Sequence, residues 1–212
     1  MEHTQICALA QKLTENIGKV IVGKQAQVEL ILAAMLAGGH VLLEDVPGTG
    51  KTTLAKSLAK SLRCKYSRIQ FTPDLLPADV TGMRIYNQKN GEFTFLPGPV
   101  FTNILLADEI NRATPRTQSA LLECMQEKQV TEGGITYSLE APFLVIATQN
   151  SVETQGTFAL PEAQLDRFLI KLSLGYPSQE EAVALLQRFF DREPLAEFSG
   201  RPLRSYHSFS SS

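Results

Sequence analysis

The chain has 212 residues, of which 43% are hydrophobic and 20% charged, with a formal net charge of −2, and this composition is typical of a globular protein rather than a disordered or fibrous one. No run of Lys and Arg stands out, which argues against nucleic acid as the main partner, because phosphate binding needs a basic surface. No stretch approaches the roughly 18 consecutive apolar residues of a membrane span, and no basic segment leads into an apolar signal core at the N-terminus, so we expect a soluble, cytoplasmic protein.

The first predicted elements are two helices, over residues 5–17 and 24–37, joined by the short apolar elbow Val20-Ile21-Val22-Gly23. The run His40-Val41-Leu42-Leu43 then has the continuous apolar character of a buried strand. The Gly-rich loop EDVPGTGKTT follows this strand. After the loop, apolar residues recur at three- and four-residue steps without Gly or Pro, which predicts an amphipathic helix that starts near Lys51.

The rest of the chain alternates between strands, hairpins and helices. Strands are predicted at Tyr66–Phe71, Ile104–Ala107, Phe143–Ala147 and within 165–174, hairpins around Asn90-Gly91 and Gly133-Gly134, and helices from Thr114 to about Gln126 and from Ser178 to about Phe190. Apolar strands that alternate with helices predict an α/β fold, in which a parallel sheet is flanked by helices on both faces.

The Gly-rich loop departs from a phosphate-binding pattern at one position. Aligning Gly50, Lys51 and Thr52 with G-x-x-x-x-G-K-[ST] puts Asp45 where the first glycine belongs. A strand before the loop and a helix after it still aim backbone N–H groups and the helix dipole at one point, where an anion is stabilised. Lys51 would then reach the phosphates and the Thr52 hydroxyl would ligate Mg²⁺. Taken alone, the loop leaves open an ordinary Gly-rich turn before a helix.

Three polar residues follow predicted buried strands and suit nucleotide chemistry. Asp108 would hold Mg²⁺ through water, Glu109 would orient and polarise an attacking water, and Asn150 would sense that water or the γ-phosphate. The alternatives are a solvated strand end for the acidic pair and an Asn in a turn for Asn150. Further candidates for countering transition-state charge are Arg112, Arg116 and Arg167, although a surface or ion-paired role is the more common one for any single arginine.

Cysteines and histidines show no functional spacing. The three cysteines are far apart without a Cys-x-x-Cys pair, which suggests neither a disulfide framework nor a zinc site. Cys124 falls in a helical pattern with Leu121 and Met125, where a small core residue is expected. The three histidines have no ligand spacing, so we assign them no chemistry.

Several blocks of the sequence, in order, resemble the MoxR branch of the AAA+ ATPases. They are LLEDVPGTGKTTLAKSLA, QFTPDLLPADVTG, FLPGPVF, LLADEINRATPRTQSALLECMQE, VIATQN and LPEAQLDRF, and the resemblance covers residues from about 18 to 190. It implies a P-loop NTPase core that uses ATP and Mg²⁺. An acidic residue in place of the first glycine is common in that family, which makes Asp45 compatible with nucleotide binding.

The resemblance also implies a role for each matched position. The nucleotide would be held by Pro47, Gly48, Thr49, Gly50, Lys51, Thr52 and Thr53 of the Walker A loop, with Val22 and Gly23 lining the adenine pocket. Asp108 and Glu109 match Walker B, and Asn150 matches sensor 1. Thr52 and Asp108 would hold the metal. Arg167 matches an arginine finger that acts on ATP bound by the neighbouring subunit, which requires a ring, typically a hexamer.

Family members act on protein clients in chaperone-like remodelling or maturation, often with von Willebrand factor A domain proteins. The first predicted hairpin resembles the insertion in helix 2 of this clade, and such loops face the ring's pore or its partner. The helical lid of the family has no counterpart in the sequence, so we expect an ATPase core at residues 1–195 and a Ser-rich, disordered tail at 196–212. The alternatives are a truncated nucleotide-binding regulatory subunit with little turnover, a small-molecule kinase and a DNA-remodelling motor.

Overall fold

The computed structural model describes residues 3–44, 49–89, 91–150, 156–176, 178–179 and 182–183. The chain divides into two compact units, residues 1–176 and 177–212. In the second unit the Ala182 N–H donates a hydrogen bond to the Ser178 carbonyl (2.8 Å), as in the first turn of a helix. The predicted continuation of this helix to Phe190, the domain boundary at residue 195 and the tail lie outside the described residues.

The first unit contains all of the strands and the longer helices that the structure describes. The strands are β1 (Val41–Glu44), β2 (Tyr66–Gln70), β3 (Gly82–Asn87), β4 (Glu92–Pro97), β5 (Ile104–Asp108), β6 (Gln129–Glu132), β7 (Ile135–Ser138), β8 (Leu144–Gln149) and β9 (Ile170–Leu172). The helices are α1 (His3–Gly18), α2 (Gln25–Leu36), α3 (Lys51–Leu62), α4 (Pro77–Thr81), a 3-10 turn (Ile110–Arg112), α5 (Pro115–Glu127) and α6 (Glu162–Leu165). Among the described residues, no helix combines the length and apolarity that a membrane crossing needs.

Five strands form a parallel sheet in the order β2, β5, β8, β1, β9. Side chains alternate between its two faces, so each strand contributes to two cores. On one face Val41, Leu43, Ile104, Leu106, Leu144 and Ile146 form a buried cluster with residues of α1, α2 and α3. On the other face Leu42, Leu105, Ala107, Val145 and Ala147 form a cluster with Leu121, Leu122 and Met125 of α5. The predicted α/β fold with helices on both faces is confirmed.

Two antiparallel hairpins lie outside this sheet, one made by β3 and β4 and the other by β6 and β7. The second has a two-residue turn in which Gly133 and Gly134 both have positive φ (58° and 77°), a conformation that side chains disfavour. The two hairpins contact each other, because Phe95 stacks on Tyr137 with ring centroids 4.1 Å apart. Both hairpin predictions are confirmed.

The structure departs from the sequence predictions at two short helices and one strand end. No helix was predicted at α4 or α6. Pro77 and Pro161 stand at the starts of these helices, where a missing N–H costs no hydrogen bond. β8 continues through Thr148 and Gln149, two residues beyond the predicted end. This extension places a polar residue, Thr148, inside the sheet.

Candidate functional site

The loop between β1 and α3 opens the site at the carboxyl end of the sheet. Gly50 has left-handed backbone angles (φ 84°, ψ 15°) and stands immediately before α3, so its conformation and not its small size demands glycine. Lys51, Thr52 and Thr53 form the first turn of α3, and the N–H groups of the first turn of a helix favour an anion. The half-buried residues here are Thr49, Lys51 and Thr52, while Gly50 and Thr53 are exposed.

The first part of this loop, residues 45–48, lies outside the described residues, and with it the predicted roles of Pro47 and Gly48. The acidic residue that precedes it, Glu44, forms an ion pair of 2.7 Å with Lys171 of the neighbouring strand β9. One carboxylate beside the loop is therefore neutralised by a cation of the sheet.

Asp108 and Glu109 are joined through a buried threonine of the adjacent strand. The Thr148 hydroxyl, fully buried on β8, donates to Asp108 Oδ1 (2.6 Å) and accepts from the Glu109 N–H (2.8 Å). Glu109 itself has left-handed angles (φ 55°, ψ 51°), which are uncommon for a residue with a side chain. This conformation ends β5 and turns the chain into the 3-10 helix, so the two successive carboxylates point to different partners.

The edge strand β2 contributes two polar side chains to the same carboxylates. Gln70 pairs in register with Asp108, and its side-chain amide nitrogen donates to Glu109 Oε2 (2.9 Å). One guanidinium nitrogen of Arg68 contacts Asp108 Oδ2 (2.6 Å) and Gln70 Oε1 (2.9 Å). Arg112 donates to Glu109 Oε2 (3.1 Å). No role was predicted for Arg68, Gln70 or Thr148, and Arg112, a candidate from the sequence, is the ion-pair partner of Glu109.

Asn150 directly follows β8 and is buried, with 7% of its surface exposed. Its backbone carbonyl accepts a hydrogen bond from the Asn111 side chain (3.4 Å), which ties the residue after β8 to the 3-10 helix after β5. The structure therefore brings Asn150 to the same end of the sheet as Asp108, Glu109 and the start of α3.

Val22 and Gly23 lie in the segment between α1 and α2, where Val22 is half-buried and Gly23 is exposed with φ 74°. The next residue, Lys24, donates to the Tyr176 carbonyl (3.3 Å), so the segment contacts the chain that follows β9. Neither residue contacts the hydrogen-bonded carboxylates, and their predicted role at the adenine stays a prediction.

Arg167 lies at the opposite end of the sheet. It precedes β9, whose Ile170 pairs with Val41 at the beginning of β1, and the Leu169 N–H donates to the His40 carbonyl. Arg167 is exposed and lines a surface pocket of about 520 Å³ together with Glu123 and Glu127 of α5. The structure does not bring it to the carboxylates of its own chain. Arg116, the other candidate, is exposed in the first turn of α5.

The residues that could hold a metal are oxygen donors. Among the described residues, no group of three or more His, Cys, Asp and Glu side chains comes together. Asp108 and Thr52 offer oxygen atoms of the kind that Mg²⁺ takes, one or two from protein with phosphate oxygens and water completing the shell, and their role at the metal stays a prediction. Thr148 supports this role, because it fixes one carboxylate oxygen of Asp108 from within the sheet.

Comparisons with known proteins agree with this arrangement. A model of the ATPase family associated with various cellular activities (AAA) matches residues 40–170. The chain is 60% identical over 178 residues to the protein YeaC of Bacillus subtilis, covering 84% of this chain and 56% of YeaC. It is 51% identical over 182 residues to the chaperone MoxR1 of Mycobacterium tuberculosis, covering 86% of this chain and 48% of MoxR1.

A crystal structure from Cytophaga hutchinsonii, described as that of a candidate ATPase, superposes with a TM-score of 0.80 at 49% identity. The match covers 89% of this chain and 57% of that one. The chain thus spans about half the length of the curated relatives it matches.

Proposed function

The chain belongs to the ATPase family associated with various cellular activities (AAA), and we propose that it binds ATP with Mg²⁺ and hydrolyses it to drive chaperone-like remodelling or maturation of protein partners. The predicted resemblance to the MoxR branch is confirmed by the family match and by MoxR1 at 51% identity. The observation that carries the proposal is the pair Asp108 and Glu109, fixed by Thr148 at the end of the sheet where α3 begins.

In this mechanism the chain supplies position and charge, which is most of what phosphoryl transfer needs. The first turn of α3 and Lys51 bind the phosphates. Thr52 and Asp108 would hold Mg²⁺, and a bound Mg²⁺ would supply charge neutralisation at the phosphate oxygens. Thr148 keeps Asp108 in one orientation, so the metal ligand does not have to be ordered when the nucleotide binds.

Glu109 orients the water that attacks the γ-phosphate. Its Oε2 accepts hydrogen bonds from Gln70 and Arg112, so the carboxylate is held from two sides. Asn150 supports the same water or the γ-phosphate from the end of β8. Water is the favoured acceptor over a second substrate, because a carboxylate and an amide converge here.

Arg167 would complete the site of a neighbouring subunit. It lies at the opposite end of the sheet from its own Asp108, so it has to act on nucleotide bound by another copy. We therefore propose a homo-oligomeric ring, with a hexamer as the form that the resemblance implies. We further propose that residues 1–195 form the ATPase core and that the protein is cytoplasmic. Its partners would be protein clients, von Willebrand factor A domain proteins among them, and not nucleic acid.

The test is steady-state ATP hydrolysis by the 212-residue chain with Mg²⁺, measured across protein concentration. We expect specific activity to rise with concentration, because each site needs a second copy. Glu109→Gln and Arg167→Ala should each lose more than about 100-fold in turnover and retain nucleotide binding. Mixing the two variants should restore part of the activity, because Arg167 of one subunit then meets Glu109 of the other.

A matched control is Arg63→Ala, which removes an exposed arginine from the end of α3. Turnover that is independent of concentration, or a mixture as inactive as its components, would contradict the trans role of Arg167. Nucleotide binding without any turnover by the unaltered chain would favour the alternative, a nucleotide-binding regulatory subunit.

A further inference from the structure

We propose that Arg68 is a positioning residue that competes with Mg²⁺ for Asp108. The inference rests on the proposed function and adds a residue to it. Its starting point is that both oxygens of the Asp108 carboxylate have a protein partner, Thr148 on Oδ1 and Arg68 on Oδ2.

The two partners of Asp108 differ in charge and in accessibility. Thr148 is neutral, fully buried and within the sheet. Arg68 is a permanent cation whose side chain is 46% exposed on the edge strand, while the side chain of Asp108 is 13% exposed. A charge-assisted contact of 2.6 Å lowers the negative potential at Oδ2, and a divalent cation at the same carboxylate would be repelled by the guanidinium. Arg68 has room to leave, whereas Thr148 does not.

Arg68 is also linked to the water-orienting carboxylate through one side chain. The guanidinium nitrogen that contacts Asp108 also donates to Gln70 Oε1, and this contact turns the amide nitrogen of Gln70 toward Glu109. Hydrogen bonds thus join four side chains in series, from Asp108 through Arg68 and Gln70 to Glu109.

The test measures how ADP binding depends on Mg²⁺, a readout that does not require turnover. A fluorescent ADP analogue is bound to the full chain and Mg²⁺ is titrated, with a matched titration in EDTA. In Arg68→Gln we expect the half-saturating Mg²⁺ concentration to fall roughly tenfold, because a cation beside the carboxylate is removed. Arg68→Lys keeps the charge and should stay within about twofold of the unaltered chain.

The matched control is Lys65→Gln, which removes the same charge just before β2. Lys65 pairs with Glu140 on the surface, with both side chains more than two-thirds exposed (68% and 71%). Its substitution should leave the Mg²⁺ requirement unchanged, because an exposed and distant charge is screened. Thermal unfolding of all three variants establishes that each is folded.

An unchanged or higher Mg²⁺ requirement in Arg68→Gln would overturn the inference. Weaker ADP binding in EDTA with unaltered Mg²⁺ dependence would do so too, since it would make Arg68 a phosphate contact. Failure of the unaltered chain to bind ADP at all would contradict the proposed function itself. ADP binding with an unchanged Mg²⁺ requirement in Arg68→Gln would contradict only the role of Arg68, so the two failures are distinguishable.

Discussion

The two ends of the parallel sheet use polar side chains in different ways. At the amino end, His40 is buried between strands and helix α5, with its Nε2 bonded to the Met125 carbonyl (3.1 Å) and its Nδ1 to the Val145 N–H (3.0 Å). Because a carbonyl accepts and an N–H donates, the proton of this neutral imidazole is on Nε2. Asn103 likewise bonds to the backbone, at the Lys65 N–H and the Pro142 carbonyl.

At the carboxyl end the polar side chains bond mainly to one another, through Asp108, Glu109, Arg68, Gln70 and Thr148, and several remain partly exposed. Backbone partners cannot be exchanged without opening the sheet, whereas side-chain partners can turn away and be replaced by a ligand. The comparison therefore separates a structural polar cluster from the proposed functional one within the same five strands. It can be tested by substitutions at each end.

The largest effect is expected for His40→Ala at the amino end. This change leaves a buried carbonyl and a buried N–H without partners and opens a cavity beside Phe143, which together should cost about 4 kcal/mol of unfolding free energy. Urea unfolding measures the loss, and ADP affinity of the folded fraction should be unchanged. A loss under about 1 kcal/mol would show that His40 is not a structural link.

Thr148→Val should lower both turnover and stability. The new side chain has the same shape but no hydroxyl, so Asp108 Oδ1 and the Glu109 N–H lose a partner and the carboxylates lose orientation. We expect turnover to fall roughly 10- to 100-fold and stability to fall by about 1–3 kcal/mol. Thr131→Val, which alters an exposed threonine pair in the second hairpin, is the control. Equal activity in both variants would contradict the assignment.

A smaller effect is expected from pH at the amino end. Burial lowers the pKa of His40 below its ordinary value of 6.5, against the opposing hydrogen bond to Met125, and the charge of Lys128 lowers it further. Below pH 6.5 the unfolded chain therefore binds more protons at this residue than the folded chain, and stability is lost as pH falls.

We expect this linkage to remove about 1 kcal/mol of unfolding free energy between about pH 7.5 and about pH 5.5. The measurement is urea unfolding at both pH values, in the unaltered chain and in His40→Asn, which does not titrate. The fall in unfolding free energy between the two pH values should be smaller in His40→Asn, because the titration of His40 no longer contributes to it. The same pH dependence in both chains would assign the effect to other groups.

The smallest effect is expected for Lys65→Gln. The ion pair with Glu140 is exposed, so its removal should change the unfolding free energy by less than about 0.5 kcal/mol. The ion pair of Arg68 and Asp108 is shorter and less exposed, which makes the two substitutions a direct comparison. A larger stability loss in Lys65→Gln than in Arg68→Gln would contradict the expectation that the shorter and less exposed ion pair contributes more.

Much of the fold could be predicted because its signals are local. The central strands are continuous apolar runs, and the Gly-Gly and Asn-Gly turns indicate hairpins without reference to the rest of the chain. The short helices α4 and α6 could not be predicted in this way, since four or five residues beginning at a proline carry no apolar period. The start of α4 is held by a local contact, in which the Leu76 N–H donates to the Asp79 carboxylate (2.9 Å).

The residues of the candidate site likewise differ in whether a local sequence signal identifies them. Asp108, Glu109 and Asn150 follow apolar strands and could be recognised as strand-end residues. Arg68 and Gln70 could not, because polar residues on an edge strand look like solvent-facing ones until the register places Gln70 beside Asp108. The structural role of His40 could not be predicted from the sequence either, since its hydrogen-bond partners are backbone groups about 85 and 105 residues away.

The position of β2 has a consequence for local stability. Among the described strands it pairs with β5 alone, whereas β5, β8 and β1 are each flanked on both sides. Such a strand can detach while the interior of the sheet stays paired. Detachment would remove Arg68 and Gln70 together and leave both carboxylates on β5. Amide protons of β2 should therefore exchange with solvent before those of β5 and β8, and the site should lose its arrangement at temperatures where the core remains folded.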